Sequence, residues 1–577
     1  MASTTTSLNC YNFAGIRSKE ANFSEEIITC SDCQNIELYY TGLNSGVGIR
    51  TAKGNVSVST NIEGTVYGLF EATLGGVKHI IVYTEIKNED TEETKGYLYY
   101  GNDLQDLIKV EYEFQSTKKA CGTTYAQGWS DIFVFSNGKN ICYIEYDNNE
   151  NIYSTSFGGI GVEDIIIYKK NGEEIDEADL PSNVNWVSDT SANRQYRYND
   201  ASGDSYTKTY VTPLLVSTEG EEVFEERFDT LGCVNFDNRI WLFKNNTLFY
   251  SKVQDCKDFS CQASLTTDSG YIVLPKTITA IANYLGSLAV FYNDSSTLVA
   301  IENNSENVSY AVEEDSPGGC ASYNSLVFHG TELYFFDKTK NSIFSFSQVV
   351  NGDKTLSDNI AADVVDIIEQ ADISSLKTLS VVQGDRNEIW FLLNTDKEKS
   401  TILIYDYLRK EFLKRVEQSI NALTIFNNKI YSASDKVFLE YSTDTFDGKF
   451  IEAYYQCSTF NMGTDNTLKI TKFPPRLAID GDYNCYFELM YVKNYDKVKK
   501  AKEKEYEVKT QSSISRFGEA VFGVSRFVIK KPNGTLKLPT TTFKALDIRF
   551  STKDVENKPK EFAFKALEFS KLKVKNI

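Results

Sequence analysis

Along most of the chain, apolar residues fall into short runs separated by polar turns, and the runs arrive in pairs. Each pair reads as an apolar strand, a turn and a second apolar strand, the pattern of a β-hairpin. It appears as VKHIIVYTE with KGYLYYGN (77–102), SDIFVFSNGKNICYIEY (130–146), NRIWLFKNNTLFYSK (238–252) and GSLAVFYNDSSTLVAIE (286–302). It returns as TELYFFDKTKNSIFSFS (331–347), NEIWFLLNTDKEKSTILIYDY (387–407) and NKIYSASDKVFLEYS (428–442). Further strand-like pieces precede several of them, such as LGCVNF, TAIANYL, CASYNSLVF and NALTIF, so the unit has three or four strands. Successive hairpins start about 50 residues apart, the length of one propeller blade.

Seven such units predict an all-β fold: a β-propeller of six to eight blades over 61–450, entered by an N-terminal segment, 1–60. One gap of about 110 residues, from Ser130 to Asn238, holds a polar, acidic and turn-rich stretch at 171–208. It predicts an inserted loop or small excursion, spanning roughly 160–222, that contacts a neighbouring subunit. Ser357, Asp358 and Asn359 offer caps for a helix whose Ile360, Val364, Ile367 and Ile368 share one face, packed between blades. Beyond Phe450 the strands lengthen, as in IEAYYQCSTF, CYFELMYVK, FKALDIRFST and FAFKALEFSKLKV, and predict a smaller β-sandwich-like domain, 451–577. Within it KVKKAKEKEYEVK (497–509) reads equally as an exposed hairpin tip or a short charged helix.

Composition supports strands: of 577 residues, 36 are Phe and 36 Tyr, with only 3 Met. The net charge of −20 is unevenly spread: residues 493–577 carry 21 Lys and Arg against 10 Asp and Glu, a surplus of +11, so the first 492 carry −31. The opening MASTTTSLNCYNFAG has neither a basic nor an apolar leader region, and no eighteen apolar residues run together, so no signal peptide or membrane span is predicted. Folding in a cytoplasm is expected, where eleven scattered cysteines are reduced, buried thiols and not a disulfide framework.

Candidate chemistry is thin. His79 and His329 are the only histidines, leaving little for a histidine metal site or triad. Cys30-x-x-Cys33 has no second close pair to complete a zinc site, and Cys256 and Cys261 have the wrong spacing for one. Paired carboxylates of glycosidases are unavoidable by chance among 80 acids, and the Ser-x-Asp-x-Gly-x-Thr-Trp turn of sialidases is missing; TDSGY (267–271) and NDASGDSY (199–206) share only its turn composition. The runs 480–484 and 444–448 read as hairpin turns and do not continue into a calcium loop. No phosphate-cradling loop occurs. No catalytic, cofactor-binding or metal-ligating residue is therefore assigned.

The stretch 12–59 resembles the opening of virion proteins of short-tailed bacteriophages, the tail-nozzle or packaged-DNA stabilisation family, through Gly15, Ile28, Cys33, Asn35, Gly48, Arg50 and Gly54. NFDNRIWLFKNNTLFYSKVQD (235–255), SPGGCASYNSLVFHGTELYFFDKTKNSIFSFS (316–347) and EIWFLL with ILIYDYLRKEFLKR (388–415) are similar to further blocks of that family, in the same order. The acidic excursion and basic C-terminal part match it less clearly. The resemblance implies a non-enzymatic ring-shaped homo-oligomer, a hexamer, in the virion tail below the portal and adaptor. Such a ring retains and conducts the genome, with duplex DNA passing unbound. The competing readings are a glycan-binding or glycan-cleaving surface propeller, which would draw on Trp129, Trp186, Trp241 and Trp390, and an adaptor propeller unrelated to phage.

Overall fold

The computed structural model describes residues 3–576 except 18–21, 24–26, 42–45, 90, 158–164, 189–194, 212, 219–220, 227–229, 258, 260–268, 305–306, 314–315, 338, 348–355, 372–380, 384–385, 394–397, 462–466, 472, 481–483, 495–501 and 509–534. The chain forms two compact units, one of residues 60–340 with 344–358, the other of 1–59, 341–343 and 359–577.

In the first unit the hairpin phrases become antiparallel meanders. The first is Thr65–Leu74, Val77–Lys87 and Thr94–Gly101, edged by Ile108–Lys109 and Phe114–Gln115. The second is Cys121–Gln127, Ser130–Ser136, Ile141–Asp147 and Ile152–Phe157, and the third Leu231–Phe236, Arg239–Lys244, Thr247–Tyr250 and Gly270–Val273. The fourth runs Ala280–Tyr284, Ser287–Phe291, Ser295–Asn304 and Asn307–Val312, and a fifth opens with Val327–His329 and Glu332–Asp337. Turn chemistry makes these hairpins tight: Asp237 and Asn238 take φ of 53° and 52°, the left-handed pair that a two-residue turn with the strands' own twist requires.

Packing explains why the middle strands read as unbroken apolar runs. Alternate side chains of a strand point to opposite faces, and here both faces are covered. On Ser130–Ser136, Phe133 and Phe135 pack with Ile81, Tyr83 and Leu98 of the first meander, while Ile132 and Val134 pack with Ile240 and Leu242 of the third. On Arg239–Lys244 the other face, Trp241 and Phe243, meets Leu288 and Val290 of the fourth. The fourth in turn gives Ala289 and Phe291 to Leu333 and Phe335 of the fifth.

The second unit holds two more meanders. One is Val381–Gln383, Glu388–Leu393, Lys399–Asp406 and Glu411–Gln418; the other is Ala422–Phe426, Lys429–Ala433 and Val437–Thr443, completed by Gly54–Val58 from the start of the chain. The protein is thus all-β, with seven blade-like meanders of the β-propeller class among the described residues. A side chain at Gly54 would put a Cβ 2.0 Å from the Thr445 carbonyl oxygen, so that close approach demands glycine.

The rest of this unit is sandwich-like, and both ends of the chain build it. One layer orders Ile27–Gln34, Tyr454–Cys457, Leu546–Thr552, Cys485–Lys493 and Lys502–Val508. In the other, the long strand Ala563–Asn576 pairs with Ser3–Cys10, Val47–Thr51, Thr467–Thr471 and Arg476–Ile479. Phe487 and Phe550 of the first layer meet Phe564 of the second at 4.9 and 4.8 Å between ring centroids.

Two expectations are corrected, and a third is decided between its alternatives. The segment 1–60 is no lead-in: it supplies strands to both sandwich layers and to the last meander, and the compact unit containing the C-terminal strands takes in 1–59, 341–343 and 359–450 besides 451–577. The helix expected from Ser357 is shorter and later, Val365–Glu369; Leu356–Asn359 is a strand, and Asn359 spends its side-chain oxygen on Ser342 Oγ and the Ala361 amide. Of the charged stretch 497–509, residues 497–501 and 509 lie outside the described residues; the remainder is the strand Lys502–Val508, paired antiparallel with Cys485–Lys493 as the second arm of a hairpin and not a helix.

Trp241 is fully buried, donates from Nε1 to the Phe236 carbonyl at 3.1 Å and lies 4.8 and 4.9 Å from the rings of Tyr250 and Tyr310. Trp241→Ala is expected to destabilise the unit containing it by about 3–5 kcal/mol, read as a lowered midpoint in chemical denaturation, because so large a void between two meanders cannot collapse.

Candidate functional site

The residues singled out for chemistry lie apart. His79 is buried in the first meander, its Nδ1–H donating to the Val77 carbonyl at 2.9 Å and its ring 5.3 Å from Tyr153; His329 stands in the fifth. Cys30 and Cys33 are buried on Ile27–Gln34, and burial raises the Cys30 thiol well above its ordinary pKa. Cys256 is buried in the core between the second and third meanders; Cys261 lies outside the described residues. Among the described residues no three His, Cys, Asp or Glu side chains gather to hold a metal. Trp241 and Trp390 are fully buried, Trp129 is exposed, and Trp186 packs 6.1 Å from Tyr168 in the insertion, so the four do not line one surface. Residues 481–483 and 267–268 lie outside the described residues; Asp480 is buried and pairs with Lys565 at 3.2 Å. In the 444–448 turn, Asp447 accepts from the Ser57 amide at 3.1 Å, which ties the turn to the strand brought from the chain start.

What the fold does gather is a buried charge cluster in the second unit. Glu411–Gln418 aims Arg415 and Glu417 to one face, two residues apart on a strand, and both are essentially unexposed. Arg415 donates to Glu417 at 3.1 Å, to Glu440 on Val437–Thr443 at 2.6 Å and to the Lys53 carbonyl at 2.7 Å. Asn55, on the strand from the chain start, donates to Glu417 and Glu440 at 3.0 Å each, and Ser432 also donates to Glu440. Two buried carboxylates share one guanidinium. Burial, and then the neighbouring Glu440, push the Glu417 pKa up to about 8, so this site holds a proton at neutral pH.

Beside it lies a second set. Glu388 accepts from Trp390 Nε1 at 3.0 Å and Tyr441 at 2.8 Å, and its pKa is raised, by burial above all. Burial would raise Glu37 too, but Arg386 and Arg50, both bonded to its Oε2, offset this and hold it below the usual range. Arg50, Lys53, Arg386, Lys429 and Tyr441 line a cavity of about 430 Å³ above these groups. Tyr441 takes a φ of 53°, an uncommon backbone for so bulky a side chain. The cluster orders backbone and neutralises charge. Ser442, the hydroxyl-bearing residue of the lining besides Tyr441, donates to the Leu439 carbonyl, so it faces no base. The sequence signal for it was the charged pair in FLKRVEQ, alternating where a buried strand should be apolar.

The excursion is a folded sheet and not a loop. Its strands order as Glu173–Ile175, Ile165–Lys170, Ser205–Val211, Gln195–Asn199 and Val187–Ser188, inserted between the second and third meanders. Tyr168 and Tyr206 are buried in it, whereas Glu173, Glu174, Asp176, Glu177 and Asp179 are all exposed.

No family model matches the chain, and no curated protein matches it. Among solved structures, it is similar to BBS1N in its complex with ARL6DN at 10% identity, covering 67% of this chain and 96% of that one, with a TM-score of 0.32. It is similar to Sqt1 of Saccharomyces cerevisiae at 10% identity, covering 67% and 98%, TM-score 0.31. A functionally unknown protein of Desulfotomaculum acetoxidans gives 9% identity, 54% and 90% coverage and a TM-score of 0.24. Likenesses this distant carry no weight for function.

The Glu417 proton sets a pH dependence. Its folded pKa of about 8 lies above the ordinary glutamate value of 4.5, so the folded form grips the proton more tightly. The resulting stability is complete below about pH 4.5 and is lost as pH rises through about 8. Thermal melts from pH 5 to pH 9 are expected to show the wild type losing stability relative to Glu417→Gln, which has no proton to release; parallel curves would contradict the assignment.

Proposed function

We propose that the chain is a structural, non-enzymatic protein of a short-tailed phage virion, part of a nozzle-type ring below portal and adaptor that retains and conducts the genome. The observation that carries this reading is the folded insertion at 165–211, a sheet whose described residues Glu173, Glu174, Asp176, Glu177 and Asp179 form an exposed acidic rim. A charged, exposed element set between two meanders suits contact with a neighbour. The charge division supports the same reading. A body of −31 over 492 residues repels phosphate and lets duplex DNA slide without being gripped, while the +11 tail suits acidic protein neighbours. The order of similar blocks along 12–445 supplies the phage context. Localisation in the virion tail, synthesis in the host cytoplasm and assembly with copies of itself and with portal and adaptor follow from this proposal.

Two assays test it. In gel-shift experiments at low salt the purified protein is expected to leave duplex DNA unretarded, and tight, salt-dependent retention would contradict the sliding wall. A glycan array and a reducing-sugar release assay on host envelope extract are expected to stay silent; signal in either would move the chain to the glycan-processing class.

A further inference from the structure

Two of the buried thiols face each other across the core between the second and third meanders. Cys121 opens Cys121–Gln127, Cys233 lies on Leu231–Phe236, and their sulfurs are 3.8 Å apart. The approach is built into the backbone. The pairing of Leu231–Phe236 with its neighbour slips between Leu231 and Val234, and Gly232 inside the slip has a φ of 72°. A Cβ there would lie 2.5 Å from the Phe243 ring, so only glycine allows the bulge that turns Cys233 toward Cys121. Tyr323 packs against this core, and both cysteines are buried in it.

We propose that Cys121 and Cys233 are a redox modification site, a latent disulfide that a small hydroperoxide closes to tie the second meander to the third. The two positions are 112 residues apart in sequence, so the bond encloses the second meander and the acidic insertion in one loop. Closing it needs only that two side chains on facing strands move together. Cys30 and Cys33 sit three residues apart on a single strand, and joining them would pull that strand out of its pairing with Tyr454–Cys457.

The chemistry balances with one peroxide. The Cys121 thiol gives up its proton and its sulfur attacks a peroxide oxygen; the O–O bond breaks, and the departing hydroxide takes the proton as water. This leaves a sulfenic acid on Cys121. The Cys233 sulfur then attacks the Cys121 sulfur, the S–O bond breaks, and the second hydroxide leaves with the Cys233 proton. Two thiols lose two electrons, and the peroxide becomes two waters. Either sulfur can be the donor in the hydrogen bond between them, and the same two steps balance with the roles exchanged.

The test treats the whole folded chain with hydrogen peroxide, blocks the remaining thiols and maps a non-reducing digest by mass spectrometry. The expected result is a Cys121–Cys233 linked peptide, two of the eleven thiols lost, and an unfolding midpoint raised by about 5–10 °C that dithiothreitol reverses. Cys233→Ser should leave Cys121 as a sulfenic acid that dimedone traps, with no linked peptide. The wild-type map stands even if that variant fails to fold. No linked peptide in the wild type, Cys121 driven on to sulfinic acid, or Cys30–Cys33 linked in its place would each overturn the proposal.

Discussion

The constraint on which the structure depends is that the middle strands of its meanders are apolar on both faces. A strand such as Arg239–Lys244, with Ile240 and Leu242 on one side and Trp241 and Phe243 on the other, is stable only when a neighbouring sheet covers each face. Within the first unit each meander therefore relies on the next, and any meander short of a strand would expose part of a core and a row of unpaired backbone groups. The last meander meets this by taking Gly54–Val58 from the other end of the sequence.

That long-range closure explains the buried charges. Arg415, Glu417, Glu440 and Asn55 come from three strands that the chain order keeps far apart, and each satisfies groups on the others. Such a cluster adds little net stability compared with apolar packing, since taking the ions from water costs about what their pairing returns. What it adds is selectivity. A wrong strand in the position of Gly54–Val58 would leave Arg415 with one excess carboxylate and no Asn55 to share it.

The meanders were legible because their signal is local: apolar runs of strand length, broken by pairs such as Asp237-Asn238 and Asn427-Asn428 that adopt left-handed turns. The N-terminal segment was misjudged because periodicity reveals that Ile27–Gln34 is a strand but not that its partner is Tyr454–Cys457. The helix cap at Ser357 failed for a related reason: the local capping signal at Asn359 was real, yet its oxygen served a turn at Ala361 beside a strand. In the insertion, QYRYN and SYTKTYV alternate as strands do, but the surrounding Asp, Ser and Gly residues hid that pattern. Of the charge cluster, only Arg415 and Glu417, charged at the buried positions of their strand, gave notice, since a site assembled from three separate strands has no spacing to read.

For function, the division of labour is consistent. Apolar material goes into the meanders and the sandwich, charged groups inside are used to match strands, and the surface carries an acidic body with a folded acidic insertion. These are properties of a part that fits among other parts, and assembly is the account's central claim. Single-particle imaging of the purified chain tests it most directly. The account predicts a closed ring of identical copies around a channel wide enough for duplex DNA, with the insertion at a contact between neighbours; a monomer at every concentration imaged would contradict it.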